Sequence, residues 1–220
     1  MYILSFDTTG SACSILLSEN NNILDKFSLS MDFGQSEVLL PQIKKMLEKA
    51  KLKFKDIDMV FVCVGPGSFT GVRSSVSAAR TFLLAKPNLA LGGVSAFDAY
   101  IQELKPEEVA EINAVIIETK RDDFYVQFYD NKLQKITASQ ALKYEDILQF
   151  LKGHKVSLVG DGVERFLNKP CGLSIHCLKI KDALDIEMVL IAGLNHYQNK
   201  RLDYPKPLYL RAPDVTTPKN

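Results

Sequence analysis

Two short segments carry the residue types that could do chemistry. The first is a glycine-rich stretch, Gly65-Pro66-Gly67-Ser68-Phe69-Thr70-Gly71, which follows an apolar run and precedes a helix-like segment. Backbone N–H groups at the start of a helix can receive an anion, so this stretch could cradle a ligand. It lacks the lysine of a P-loop and the spacing of a dinucleotide-binding turn. A tight turn capped by Ser68 is the simpler interpretation.

The second segment, Asp7-Thr8-Thr9-Gly10-Ser11, is predicted to join the first two strands in a hairpin. Its carboxylate and hydroxyl groups could face phosphate oxygens or a metal-held water. The alternative is an Asx or ST turn that only ends the first strand. The residues themselves leave both interpretations open.

Composition excludes several classes of protein. The chain has 220 residues, of which 46% are hydrophobic and 24% charged, as expected for a globular protein with a full core. Its 27 basic and 26 acidic residues give a net charge of +1, which argues against binding nucleic acid unaided.

No signal peptide is recognisable, and no apolar run approaches the ~18 residues of a membrane span. The four cysteines lack Cys-x-x-Cys spacing, so we expect no zinc site and a reducing cytoplasm.

Hydrophobic periodicity predicts the order β-β-β-α-β-α-β-α over residues 1–105. A weaker version follows in residues 106–220, with its third strand expected at 134–137. We therefore expect an α/β protein of two similar lobes, with mixed sheets flanked by helices and a degenerate second lobe. This layout resembles the actin-like ATPase, ribonuclease-H-like (ASKHA) architecture. Its ligands bind in the cleft between lobes, toward which Asp7, the 65–71 turn and the 160–162 turn would point.

Two helices of the first lobe could serve a core or an interface. The helix expected at 35–50 has a wide apolar arc, because Leu40 and Leu47 flank a stripe that includes Leu39 and Ile43. It could be wedged between the sheet and a loop, or it could offer one flank to a partner chain. The helix expected at 71–85 has small residues over two turns, which permit close approach in either setting.

Several strings taken together resemble the TsaB family, also called YeaZ. They are Phe6-Asp7-Thr8-Thr9, Ser36-Glu37-Val38-Leu39-Leu40-Pro41, Gly65-Pro66-Gly67-Ser68-Phe69-Thr70-Gly71-Val72-Arg73, Gly93-Val94-Ser95, Lys120-Arg121 and Tyr209-Leu210-Arg211. The resemblance covers nearly the whole chain and is densest in residues 1–100. It implies a non-catalytic bacterial subunit that binds TsaD, together with TsaE, in making threonylcarbamoyladenosine beside the tRNA anticodon.

The resemblance also implies that metal and cofactor are absent. The catalytic relative TsaD has two metal-binding histidines four residues apart on the helix after its third strand. This chain has Gln35 and Leu39 at the corresponding spacing, and neither side chain replaces an imidazole ligand. Any nucleotide site would be vestigial. Its expected residues are Asp7, Thr8, Thr9, Gly65, Gly67, Gly160, Asp161 and Gly162.

By the same resemblance, the two first-lobe helices would pack against the matching helices of TsaD, or against a second copy when TsaD is absent. tRNA would be reached only through the complex, and no membrane is involved. The glycine-rich turn would be the rigid corner that aims the second helix. The expected partner-binding residues are Leu39, Ile43, Met46, Leu47, Val72, Arg73, Val76 and Arg80.

Two other functions compete with this one. The chain could be a phosphotransferase or ATPase that uses Asp7 as a base or metal anchor. It could also be a protease, but Ser36 and Ser68 have no local histidine base.

Overall fold

The computed structural model describes residues 1–31 and 34–211. These residues form ten strands and six α-helices. The strands are β1 (Tyr2–Asp7), β2 (Ala12–Glu19), β3 (Asn22–Ser30), β4 (Ile57–Cys63), β5 (Ala90–Val94), β6 (Ile112–Glu118), β7 (Asp123–Tyr129), β8 (Gln140–Lys143), β9 (Lys155–Gly160) and β10 (Ser174–Ile180). The helices are α1 (Gln35–Lys49), α2 (Phe69–Ala85), α3 (Ala96–Tyr100), α4 (Tyr144–Leu151), α5 (Val163–Leu167) and α6 (Ile186–Gln198).

The strands form two five-stranded sheets with the same topology. Their orders are β3-β2-β1-β4-β5 and β8-β7-β6-β9-β10. In the first, β1 runs antiparallel to β2 and parallel to β4. In the second, β6 runs antiparallel to β7 and parallel to β9. The predicted two-lobed actin-like architecture, with mixed sheets flanked by helices, is confirmed.

The third strand of the second lobe differs from the prediction. The segment expected to form it, 134–137, makes a single isolated bridge between Tyr129 and Lys135. The carboxylate of Asp130 accepts the backbone N–H groups of Lys132 and Gln134, at 2.8 and 2.9 Å. These bonds close a turn just after β7, so regular pairing with β7 resumes only at β8.

Three apolar clusters divide the molecule into layers. Helices α1 and α2 cover the outer face of the first sheet. Helices α4 and α5 cover the outer face of the second sheet. Between the sheets, α3 and α6 pack in a shared core with side chains from both. No helix within residues 1–31 and 34–211 is long and apolar enough to cross a bilayer.

The C-terminal part of the chain qualifies the expected division at residue 105. Helix α6 packs directly on β1, β2, β4 and β5, and residues 201–211 then follow the first lobe. The apolar residues of α6 occur on most of its sides, which suits a position between two sheets. From the start of α6 onward, the chain therefore lies against the first lobe, although in sequence it follows the strands of the second lobe.

Candidate functional site

A cleft of about 790 Å³ opens between the lobes, as the sequence predicted. Its lining includes Asp7 and Thr9 at the end of β1, Gly67 after β4 and Asp161 after β9. The structure therefore brings together four of the eight residues expected in the nucleotide site. The lining also includes residues that sequence analysis did not connect with the cleft: Tyr100, Glu118, Tyr125, Tyr209 and Arg211.

The first corner, residues 65–71, packs against the backbone of the β1–β2 turn. A Cβ atom at Gly67 would collide with the carbonyl oxygen of Thr9, and one at Gly71 would collide with that of Thr8. The Ser68 N–H donates to the Thr9 carbonyl at 2.7 Å. The glycines therefore serve close backbone approach within the chain. The Ser68 side chain accepts from the N–H of Gly71 and caps α2, as predicted.

The turn at Thr8 and Thr9 satisfies its hydrogen-bonding groups internally. The Thr8 N–H donates to the Ser75 hydroxyl at 3.1 Å, and the Thr8 hydroxyl donates to the Gly71 carbonyl at 2.8 Å. The Thr9 N–H donates to Asp7 Oδ1 at 2.7 Å. This last bond is that of an Asx turn, which is the simpler of the two interpretations left open by the sequence. These two N–H groups are not directed at a phosphate.

The second corner, residues 160–162, repeats this contact in the second lobe. A Cβ atom at Gly160, whose φ is +130°, would collide with the Ile116 carbonyl oxygen. The Gly162 N–H donates to the same oxygen at 3.0 Å. Asp161 Oδ1 accepts the Glu118 N–H at 2.9 Å. Both corners thus bind the end of the first strand of their own lobe, and both lie beside the cleft.

Burial changes the acidity of the groups on the cleft floor. Desolvation by burial raises the pKa of Asp7. Burial is also the largest cause that raises the pKa of Asp161, from 3.8 to about 6, and the nearby Glu118 carboxylate adds to it. Tyr100 is buried beside both carboxyls, and its burial and their negative charges raise its pKa well above the usual value. Burial therefore shifts the carboxyl groups of Asp7 and Asp161 toward their protonated forms.

The expected partner-binding residues require a correction. Six of the eight have buried side chains in the first lobe's own packing: Leu39, Ile43, Met46, Leu47, Val72 and Val76. Most of their apolar surface is covered by the first sheet and by the other helix of the α1–α2 pair. They support this face from within, and Ile43 and Leu47 also line the wall of a groove on its surface.

The other two residues of that set lie on the surface. Arg73 is exposed, and its guanidinium stands 5.0 Å from the centre of the Phe69 ring. Arg80 binds the C-terminal segment of the same chain, since its Nε and a terminal guanidinium nitrogen donate to the Pro205 carbonyl at 3.1 and 2.8 Å. Arg73 remains a predicted partner contact, whereas Arg80 has a partner within the chain.

Different apolar residues of these helices face outward. Leu84 is 85% exposed and Leu40 is 51% exposed. Beside Leu40, a groove of about 310 Å³ runs between the helices and includes Phe54 and Phe82. We call the exposed surface of α1 and α2 around Leu40, Arg73 and Leu84 the outer face. The width of the apolar arc on α1 was the available signal for it, because an arc wider than the core contact leaves Leu40 exposed.

The two positions compared above with the metal-binding histidines of TsaD are Gln35 and Leu39, neither of which is an imidazole. Gln35 donates its side-chain amide to the Met31 carbonyl at 2.9 Å, and Leu39 is buried. In the part of the chain that the structure describes, no group of three or more His, Cys, Asp and Glu side chains could hold a metal ion.

Comparison with known proteins gives consistent results. The family model described as TsaD, tRNA N6-adenosine threonylcarbamoyltransferase, matches residues 34–200. The tRNA threonylcarbamoyladenosine biosynthesis protein TsaB of Buchnera aphidicola subsp. Schizaphis graminum is 30% identical over 73% of this chain and 78% of its own. The Escherichia coli K12 protein of the same name is 26% identical over 96% of this chain and 95% of its own. The structure of YeaZ from Pseudomonas aeruginosa shares the fold, with a TM-score of 0.79 at 21% identity over 95% of this chain and 99% of that one.

Proposed function

The chain belongs to the TsaB family and, through residues 34–200, to the wider family of the threonylcarbamoyltransferase TsaD. It therefore has a role in the threonylcarbamoyladenosine modification of tRNA. Within that role we propose that it is a non-catalytic subunit that binds and supports a TsaD protein through the outer face. Large apolar side chains exposed on two neighbouring helices carry this proposal.

The internal hydrogen bonds of the first corner argue for a structural role of this turn and against a catalytic one. In a catalytic phosphate loop, backbone N–H groups would have to remain available to the ligand. Here the N–H groups of Thr8 and Thr9 bind Ser75 and Asp7, and the glycines of the corner are in contact with backbone. Such a corner is suited to holding α2 rigidly, and α2 carries Arg73 and Leu84 to the surface.

The proposal extends to the other components of the modification. TsaE would join the assembly, and tRNA would be bound by the complex, because a net charge of +1 offers little attraction for its phosphates. Without TsaD, the outer face would favour a homodimer, since a two-fold axis places the same apolar patch of two copies against each other. The site of action would be the cytoplasm, where tRNA is modified.

The test removes exposed apolar side chains and leaves the core intact. Leu40→Asp together with Leu84→Asp should weaken binding to the same organism's TsaD by about 30- to 1,000-fold, because each central apolar contact contributes about 1–2 kcal/mol. Binding is measured by co-purification and calorimetry. The matched control is Ile136→Asp, which changes a 43% exposed side chain on the second lobe. Equal affinity in the wild type and the double variant would refute the proposed interface.

Leu39 and Ile43, although expected to bind the partner, are unsuitable positions for this test. Both side chains are buried, so an aspartate at either position would damage the fold and reduce binding indirectly. Exposed positions separate loss of contact from loss of structure, and thermal unfolding of each variant verifies that separation.

A phosphotransferase or ATPase activity remains the alternative, and the size of the cleft favours it. The cleft is lined by Asp7 and Asp161 and has cationic residues at its edge, including Arg211. Calorimetric titration with ATP and magnesium discriminates the two functions. Tight binding that disappears in Asp7→Asn would support the alternative. Under the scaffold proposal, wild type and variant should give the same negligible heat.

A further inference from the structure

The C-terminal segment, residues 201–211, runs along the first lobe without regular secondary structure. The Gly93 N–H donates to the Asp203 carbonyl at 2.8 Å, which attaches the segment to the open edge of β5. Further on, the Leu208 N–H donates to the Val64 carbonyl at 2.8 Å, just before the first corner. Leu208 packs against two apolar clusters: the central cluster between the two sheets, and the outer cluster between the first sheet and helices α1 and α2. The segment is therefore a fixed part of the lobe up to that point.

The same segment holds helix α2 at two places. Arg80 donates twice to the Pro205 carbonyl, and its guanidinium stands 5.1 Å from the centre of the Tyr204 ring. At the start of α2, the ring of Phe69 lies 5.2 Å from that of Tyr209. The two contacts lie about three helical turns apart and therefore on the same side of α2. Any rotation of α2 about its axis would disturb both.

Beyond Tyr209 the segment crosses the cleft mouth to the second lobe. Arg211 forms an ion pair with Asp123 at the start of β7, and its guanidinium stands 5.9 Å from the Tyr125 ring. Four consecutive residues of the segment, 208–211, line the cleft. The segment is therefore a further connection between the lobes, besides the chain crossings between β5 and β6 and between β10 and α6, and it is completed by the noncovalent contacts of Arg211.

We propose that residues 201–211 are a strap that couples the position of α2 to the closure of the interlobe cleft. The strap is anchored to the first lobe at Gly93, to α2 at Arg80 and Phe69, and to the second lobe at Asp123. Closure depends on the Arg211–Asp123 pair, whose side chains are 27% and 15% exposed and therefore only partly screened by solvent. The role of α2 as a partner helix rests on the proposed function, whereas the closure of the cleft does not.

Two native cysteines report cleft opening separately from unfolding. Cys63 is fully buried in the central core, and its sulfur lies 3.4 Å from the hydroxyl of Thr9, which lines the cleft. Cys13 is equally buried but belongs to the outer cluster, on the other side of the first sheet. Opening of the lobes exposes Cys63 alone, whereas global unfolding exposes both thiols. Peptide-level mass spectrometry after thiol alkylation distinguishes them from Cys171 and Cys177.

The experiment is a charge-reversal cycle on the chain alone. Arg211→Asp and Asp123→Arg should each raise the alkylation rate of Cys63 by about fivefold, on the scale of a partly buried ion pair, and leave Cys13 unchanged. The double variant, which restores an opposite-charge pair, should return the Cys63 rate to near the wild-type value. An unchanged Cys63 rate in the single variants would overturn the proposal. So would a parallel rise at Cys13 or a failure of the double variant to restore protection.

A second arm tests the coupling to α2. Saturation with TsaD, with binding verified independently, should change the Cys63 rate of the wild type by about threefold or more. In Arg80→Met, which removes both bonds to Pro205, TsaD should still bind but change the Cys63 rate far less. Identical responses in wild type and Arg80→Met would refute the coupling. Absence of TsaD binding to the wild type would refute the proposed function and leave the closure result of the first arm intact.

Discussion

The two corners of the molecule share a backbone plan and differ in their side chains. In the first lobe, Gly67 and Gly71 contact the backbone of Thr8 and Thr9, and the surrounding bonds join hydroxyl groups. In the second lobe, Gly160 contacts the end of β6 in the same way, but the neighbouring side chains are charged. Glu118 there pairs with Arg165 at 2.5 Å.

This difference indicates a division of labour between repeated units. The first corner leads into α2, a helix of 17 residues that reaches the surface, whereas the second leads into α5, which has only 5. The hydroxyl bonds of the first corner involve no titratable group, so these bonds at the start of a long helix do not themselves depend on pH. The charged neighbours of the second corner, among them the Glu118–Arg165 pair, leave ionisable groups beside the cleft. Duplication of a fold therefore need not duplicate its function.

The largest expected effect comes from the glycine of the first corner. Gly71→Ala places a methyl group against the Thr8 carbonyl oxygen, so it should lower the free energy of unfolding by about 3 kcal/mol or more. Gly162→Ala in the second corner should cost less, because its Cβ would lie 2.9 Å from the nearest atom, the Ile117 carbonyl carbon. Urea denaturation measures both.

Gly10→Ala is the control for this pair, since no atom lies within 4 Å of a Cβ at that position. It should not destabilise the protein, and it should raise the free energy of unfolding by at most about 1 kcal/mol. A cost at Gly162 equal to that at Gly71 would contradict the expected difference in packing between these two positions.

The next effect depends on pH and belongs to the second corner. The native pKa of Asp161, about 6, lies above the ordinary value of 3.8, so between these values the native state binds more protons than the unfolded state. Stability from this group is therefore present at low pH and lost as pH rises through about 6. Asp161→Asn should match the wild type near pH 3.5 and be more stable at pH 7.5, by at most about 3 kcal/mol.

Thermal unfolding across this pH range measures the effect. The control is Asp182→Asn, an exposed position at the edge of the same cleft, which should follow the wild type throughout. If Asp161→Asn loses stability at neutral pH, the carboxylate is held there by a favourable interaction, contrary to the burial argued above.

The smallest effect concerns the hydroxyl pair of the first corner. Thr8→Val keeps the side-chain shape but removes the bonds of the Thr8 hydroxyl to the Ser75 hydroxyl and the Gly71 carbonyl, so it should cost about 2 kcal/mol. Combined with Ser75→Ala, it should show a coupling energy of about 1 kcal/mol in a double-mutant cycle. The coupling should be the same at pH 4.5 and 7.5, unlike the effect of Asp161. Strict additivity would show that the two hydroxyls act separately.

Several features were predictable because they depend on local sequence. The alternation of strands and helices indicated two similar lobes, and the Ser68 cap followed from its position before a helix. The third strand of the second lobe was misplaced because the turn formed by Asp130 shifts the pairing. Four of the expected partner-binding residues came from the apolar arc of α1, and all four are buried in the core of the first lobe.

The sequence by itself determined the lobes, the corners and their direction toward a cleft, because periodicity and glycine chemistry act over a few residues. Only the tertiary structure decided which side of α1 and α2 remains exposed, since an apolar stripe is the same whether its own sheet or another chain covers it. Contacts such as Tyr100 beside Asp161, or Arg211 with Asp123, join residues far apart in the chain. They exist only after the sheets and helices have packed.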